Sequence, residues 1–291
     1  MQIRMMKRIR FVTVVVTLVA ALLAGLVSAA AVVYSGIYNV AATGLHLQST
    51  YDLLTVAMRQ SVRLRARGIE PPPLDGEQML IRGAACFRDK CVQCHGAPGV
   101  AQSDIGLAMQ PLPGPLVDAR EHWQARELYW VTRHGIKLSG MPAWELRLTE
   151  EELWSVVAFL QLLPDLNAVQ YAEFTTRKAP PAPSCGRDLP GAQLPPLMPA
   201  SAQRGRDAMH QYACSACHDV PGVTGPSTRV GPPLEGFASR ELVAGKLPRT
   251  TDNIVRWLRH TQLVKPGTAM PELGVTEQDA RDMAAYLETL Y

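Results

Sequence analysis

The sequence predicts an all-α protein: an N-terminal transmembrane helix, then two small helical domains joined by a Pro-rich linker. Three observations predict it. An uncharged apolar run from Phe11 to Tyr34 follows a cluster of basic residues. Two halves of the remaining chain repeat the same order of features, each with a Cys-x-x-Cys-His string, a helical stretch ending in Arg-His, a Met-Pro loop and a closing apolar-periodic helix. Between the halves, Pro164, Pro180, Pro181, Pro183, Pro190, Pro195, Pro196 and Pro199 interrupt any apolar period, which reads as a stiff, partly extended linker. A chain of 291 residues has room for two or three ordinary domains. The expected division is a basic tip and anchor over 1–36, a juxtamembrane helical segment over 37–74, a first domain over 75–164, the linker over 165–200 and a second domain over 201–291.

Arg4, Lys7, Arg8 and Arg10 precede the 24 uncharged residues from Phe11 to Tyr34. At about 1.5 Å per residue that run crosses a hydrocarbon layer of about 30 Å. The alternative is a cleaved export signal ending at Ala29-Ala30-Ala31, but a signal needs an apolar core of only about 7–15 residues. The longer run favours an uncleaved anchor. The basic residues ahead of it place the N-terminus in the cytoplasm and everything after Tyr34 in the periplasm of a bacterial inner membrane.

Residues 38–66 hold a helix with Leu53, Leu54, Val56, Met58, Val62 and Leu64 among polar positions, and Pro71-Pro72-Pro73 cannot continue it. The whole chain is +3; residues 1–70 carry eight basic against two acidic residues, a net +6, leaving −3 on residues 71–291. That split gives no sign of a nucleic-acid partner. The basic stretch from Arg59 to Arg67 reads as a solvated or membrane-proximal helix face.

The strings Cys91-Val92-Gln93-Cys94-His95 and Cys214-Ser215-Ala216-Cys217-His218 carry the chemistry. Two thiols three positions apart on one turn can each add to a haem vinyl group, and the adjacent His reaches the iron, so both strings read as covalent haem c sites. A zinc site would need four ligands, and a thiol redox pair would need only the two cysteines. A His at the fifth position, twice, argues against both. The prediction is two haem c per chain. Cys86 and Cys185 remain, and in an oxidising compartment they form a disulfide; a buried thiol beside an unrelated exposed one is the alternative.

Each domain then follows in order. Helices over 78–90 and 202–213 run into the two strings. Stretches 128–134 and 254–260 end in Arg-His. Thr149 and Thr276 cap the closing helices, with Glu152 and Asp279 at the third position beyond. The sixth ligand of each iron comes from the Met-Pro loops: Met141 lies 46 residues after His95, and Met270 lies 52 after His218. A thioether raises the reduction potential relative to two imidazoles. Met109 is the rival for the first iron, His134 and His260 are the rivals for bis-His ligation, and Met58, Met209 and Met283 read as core. The segment Val230-Gly231-Pro232-Pro233-Leu234 offers Pro232 as the carbonyl that accepts the proximal His ring proton. In the first half Pro111, Pro113 and Pro115 stay open for that role.

The attachment strings, the Gly-Pro-Pro-Leu segment, the Met-Pro loops and the closing helices resemble class I c-type cytochromes over residues 75–164 and 201–291. With the apolar span, the chain is similar to membrane-anchored dihaem cytochromes c of bacterial respiratory chains, including the dihaem subunit of haem-copper oxidases. That resemblance implies electron transfer within a respiratory complex, whether terminal oxidase, quinol-oxidising complex or dehydrogenase, by a subunit with no catalytic residues of its own. A dihaem peroxidase is the alternative. It needs one open iron site, against which stand a ligand Met in both halves and the lack of an acid/base cluster.

Overall fold

Apolar residues uninterrupted by any acid form α1 (Gln2–Ser35). The computed structural model describes residues 2–44, 47–176, 185–186, 196–226 and 230–291. Among these, Arg10–Ser35 is the one segment long and apolar enough to cross a bilayer, a test that an export signal also passes. The chain divides into two compact units, residues 1–53 and 54–291.

Next comes α2 (Gln48–Ala66), which ends before the prolines because the Ile69 N–H turns back onto the Ala66 carbonyl. Its Val62 and Ala66 are buried. Arg59 sits 5.8 Å over the Trp123 ring, and Arg63 lies 3.8 Å from Glu127. The expected solvated basic face is therefore corrected in part: the apolar stems of these arginines cover the first domain while their charges meet an aromatic face and a carboxylate.

In the first domain, α3 (Glu77–Cys86) continues without a break through a π-helical turn, Phe87–Cys91, into α4 (Val92–His95). Short helices α5 (Asp104–Leu107) and α6 (Ala119–His122) lead to α7 (Ala125–His134) and then α8 (Glu150–Leu162). The packing of α8 on α3 turns on one residue. A Cβ at Gly83 would collide with the Ser155 carbonyl, so only glycine lets the two backbones approach this closely. Around the crossing, Phe87 and Phe159 pack with ring centres 5.5 Å apart, and Tyr129 stacks on Trp154 at 4.1 Å. Thr149 caps α8 as expected, accepting from the Glu152 N–H at 3.2 Å while Glu152 accepts from the Thr149 N–H at 2.7 Å.

The expected linker begins as structure. Its first part forms α9 (Ala168–Thr176), with Tyr171 buried against Phe87 and Phe159. The sequence hides this helix because only nine residues long it offers little period to read. Pro180, Pro181, Pro183, Pro190 and Pro195 lie outside the described residues. Cys86 and Cys185 are joined as a disulfide, and the N–H of Gly186 donates to Glu152 at 2.9 Å, so the segment is tied to the start of α8.

The second domain repeats the plan with α10 (Ala202–Gln211), α11 (Thr251–Arg259), α12 (Thr261–Val264) and α13 (Glu277–Leu287). A minimal hairpin, β1 (Leu242–Val243) with β2 (Leu247–Pro248), precedes α11. At the α10–α13 crossing a Cβ on Gly205 would collide with the Asp282 carbonyl. One expectation fails here. The helix over 202–213 does not run into its attachment string; it ends at Gln211, Ala213 takes a left-handed φ of 55°, and a 3-10 turn covers Cys214–Ala216. Gly83 precedes Cys91 by eight residues but Gly205 precedes Cys214 by nine, and the break absorbs the extra residue.

The domains touch within the second unit. The Arg147 guanidinium stacks 4.1 Å over the Tyr212 ring, donates to the Gln211 carbonyl at 3.4 Å, and Leu146 packs on the second core.

Candidate functional site

The first attachment string lies within the helix that runs from α3 to His95, the second in a turn just after α10, and each places its histidine ring against a carbonyl. The His218 Nδ1–H donates to the Pro232 carbonyl at 2.7 Å, the residue named from the sequence. The His95 Nδ1–H donates to the Gly114 carbonyl at 2.7 Å. None of Pro111, Pro113 and Pro115 takes that role; the flanking prolines fix the loop, and the small residue between them brings its carbonyl to the ring. A carbonyl only accepts, so in both rings Nδ1 carries the proton and Nε2 keeps its lone pair for a metal. Burial pushes the His95 imidazole below its ordinary pKa against the opposing pull of the Gly114 bond, which favours the neutral, ligating form.

The cysteines of both strings are free. Burial first, then the neighbouring Cys94, pushes the Cys91 thiol up to about 12, with Lys90 opposing, and burial pushes Cys214 up to about 11. Thiol exchange needs a thiolate, which these surroundings disfavour at Cys91 and Cys214. Addition to a haem vinyl group consumes the thiol and leaves no charge to bury. Close packing beside the second ring supports the same donor set: a Cβ on Gly231 would collide with the His218 ring, so the chain is cleared of side chain along that edge. Two thiols, one imidazole with its far nitrogen free, and a thioether loop in each half fit haem c.

The methionine loops are built by different means on one shared device. The Met141 N–H donates to Ser139 Oγ at 3.2 Å and the Met270 N–H to Thr268 Oγ1 at 3.5 Å, two residues back in both cases. In the first loop the backbone closes the turn, with the Ile136 N–H on the Met141 carbonyl at 3.1 Å. In the second a side chain does so: the Gln262 amide donates to the Thr268 and Met270 carbonyls at 2.9 and 3.0 Å and accepts from the Gly267 N–H at 3.1 Å. Ser139, Thr268 and Gln262 went unread in the sequence; the hydroxyl two residues before each Met was the available signal.

Met109, the rival for the first iron, packs its sulfur where a Cβ on Gly140 would stand, next to Met141. His134 lies 3.7 Å from Glu145 and is held below its ordinary pKa chiefly by burial, with Glu145 opposing; His260 is exposed. Met209 and Met283 are fully buried in the second core, and Met58 is half-buried.

Comparison with known proteins finds a cytochrome family match in each half of the chain. The family model described as cytochrome c oxidase, cbb3-type, subunit III, matches residues 78–160, and the cytochrome c model matches residues 202–291. The chain is 34% identical over 90 residues to cytochrome c oxidase subunit 2 of Alkalihalophilus pseudofirmus, covering 31% of this chain and 25% of that protein. It is 32% identical over 108 residues to cytochrome c oxidase subunit 2 of Bacillus sp. (strain PS3), covering 36% and 30%. The chain thus spans under a third of the length of either relative. A chain of the Kuenenia stuttgartiensis reducing HAO-like protein complex Kustc0457/Kustc0458 aligns over 76% of this chain and 99% of its own at 20% identity, with a TM-score of 0.25, too low to bear on the fold.

Proposed function

The chain belongs to the cytochrome c family and carries two cytochrome c domains, and on that premise we propose that it passes single electrons between two haem c groups held by His and Met. Cys91 and Cys94 hold one group, Cys214 and Cys217 the other. His95 and Met141 ligate the first iron, and His218 and Met270 the second. The observation that carries this reading is the pair of histidines oriented alike through Nδ1, by Gly114 and by Pro232, with Nε2 left free. Haem c, when bound, supplies a one-electron iron couple.

The protein's own groups set the terms of that couple. The carbonyl bond at each Nδ1 fixes the ring and raises its basicity. The Met141 and Met270 thioethers favour the reduced iron. Ser139 and Thr268 hold the methionine backbones, so both thioethers arrive without a large ordering cost. The stack of Arg147 on Tyr212, two residues before Cys214, supports transfer between the domains.

The chain acts at a bacterial inner membrane, anchored by Arg10–Ser35, with its haem domains in the periplasm. Its partner is a respiratory complex, and relatives named as oxidase subunits favour a terminal oxidase. A peroxidase would need one iron to open, whereas this reading needs neither to do so.

Ligation is tested one haem at a time. Met141→His should lower the potential of the first haem and remove one long-wavelength iron-to-sulfur band of the oxidised protein, and Met270→His should do the same at the second. The reduced wild type should bind no carbon monoxide rapidly. If Met141→His changes neither band nor potential while Met109→His changes both, the first ligand is Met109; rapid carbon monoxide binding at one haem would favour the peroxidase.

A further inference from the structure

Between the C-terminal half of α2 and the segment around α6 and α7 lies a cavity of about 510 Å³ that electron transfer does not use. Donors dominate its wall: Arg63, Arg67, Arg120, Arg126 and Gln161. Arg120 is held by Asp165 at 2.6 and 2.7 Å, and Arg63 lies 3.8 Å from Glu127. Arg67 and Arg126 make no ion pair among the described residues. The Gln161 Nε2 is buried with no hydrogen-bond partner. Behind the wall, the guanidinium of Arg59, which does not itself line the cavity, lies over the lining residue Trp123.

A buried donor without a partner costs about 1–3 kcal/mol, and here one such donor stands beside two unpaired guanidiniums. The unmet groups are all donors. Their complement is a group that only accepts and carries negative charge, and guanidiniums favour planar or tetrahedral oxyanions through paired N–H bonds. Two carboxylates also line the cavity: Glu121 is exposed, where solvent screens it, and the buried Glu127 is already engaged by the Gln124 N–H at 2.9 Å and faces Arg63 at 3.8 Å.

We propose that this cavity binds a phosphate group, free or carried by the headgroup of an anionic phospholipid. Its volume falls in the range of small-molecule sites and leaves room for an organic substituent on the phosphate. The order of the chain favours the headgroup, since α2 begins thirteen residues after the apolar span ends.

The test is calorimetric titration of the detergent-solubilised full chain, with both haems attached, against inorganic phosphate, short-chain phosphatidylglycerol and short-chain phosphatidylcholine. Saturable binding at one site per chain is expected from phosphatidylglycerol, phosphate or both. The lipid alone identifies the headgroup as the source; phosphate alone identifies the free ion; both together show that the phosphate suffices. The double variant Arg67→Glu and Arg126→Glu should weaken binding at least about tenfold, the loss of charge-assisted bonds. Gln161→Leu should weaken it about threefold with the haem spectrum unchanged, and it serves as the reading if the double variant does not fold. No saturable binding, equal binding of phosphatidylcholine, or an affinity indifferent to these substitutions would overturn the site.

Discussion

The α3–α8 crossing of the first domain and the α10–α13 crossing of the second meet the same demand with different chemistry. Both place a glycine, Gly83 or Gly205, against a carbonyl of the closing helix. In the first domain that carbonyl belongs to Ser155, whose hydroxyl is satisfied within its own helix by the Glu151 carbonyl at 2.7 Å. In the second it belongs to Asp282, which is 1% exposed and accepts from Arg204 Nε and Nη2, both at 2.8 Å, and from the Ser201 N–H at 2.7 Å. The first domain instead carries the disulfide and an aromatic cluster. The lesson is that the terminal-helix crossing is the common requirement and its reinforcement is interchangeable: a disulfide, an aromatic cluster and only an exposed ion pair, Arg82 with Glu151, in one half, and an ion pair on a buried carboxylate in the other.

If that contrast is right, the domains should fail separately. The largest effect should come from the disulfide, which closes a span of 99 residues; chain entropy for such a loop gives about 4–5 kcal/mol, and measured losses run about 2–5. Cys86→Ser with Cys185→Ser should lower the melting of the first domain and leave the second in place, followed by calorimetry of the haem-loaded protein. Equal losses in both would break the comparison.

Arg204→Ala is the converse. It leaves the Asp282 carboxylate buried with only neutral donors, a change that costs about 3 kcal/mol. The second domain should melt earlier while the first is unmoved, whereas Ser155→Ala should cost the first domain under about 1 kcal/mol.

Alkali should sharpen the contrast further. Burial, with Asp279 next, pushes the Tyr212 phenol up to about 12, and burial with Glu150 does the same for Tyr129. A raised folded pKa means that this stability is fully present below about pH 10 and lost as pH rises towards about 12, up to about 2–3 kcal/mol for the Tyr212 phenol and less for Tyr129, whose hydroxyl meets exposed partners. Tyr212→Phe should abolish that loss in the second domain only, read from melting temperatures across the window. Persistence of the second-domain loss in the variant would assign it elsewhere.

The smallest effect concerns the methionine loops. Gln262→Leu removes the amide that shapes the Met270 loop, at about 1–2 kcal/mol locally. The iron-to-sulfur band of the second haem should fade at lower denaturant concentration while that of the first, whose loop is closed by backbone, holds. Simultaneous fading of both bands would mean that Gln262 has no local role.

Much of this arrangement is legible along the chain because it is written in local spacing. Both attachment strings, the Thr149 and Thr276 caps, the closing helices and Pro232 beside His218 each depend on residues a few positions apart or on a repeat that shows the same order twice. The pairing of Cys86 with Cys185 was reachable by elimination once four cysteines were assigned. Gly114 was not, because three neighbouring prolines made equal claims and only the folded loop chooses which carbonyl faces the ring. Likewise α9 and the break at Ala213 depend on a few residues settling against a core, where packing overrides a weak local preference.

The sequence by itself determined the chemistry: thiols and imidazoles at a fixed spacing, and an apolar run of one bilayer's length, carry their meaning in covalent geometry and solvation. The tertiary structure alone decided what lies across the fold. Gly83 meets Ser155, Gly205 meets Asp282, Arg147 stacks on Tyr212, and the arginines of α2 join those of the first domain around one cavity. The three residue pairs are separated by 65 to 77 positions along the chain. No local propensity links such positions; they meet only because close packing of whole helices leaves each backbone one way to approach its neighbour.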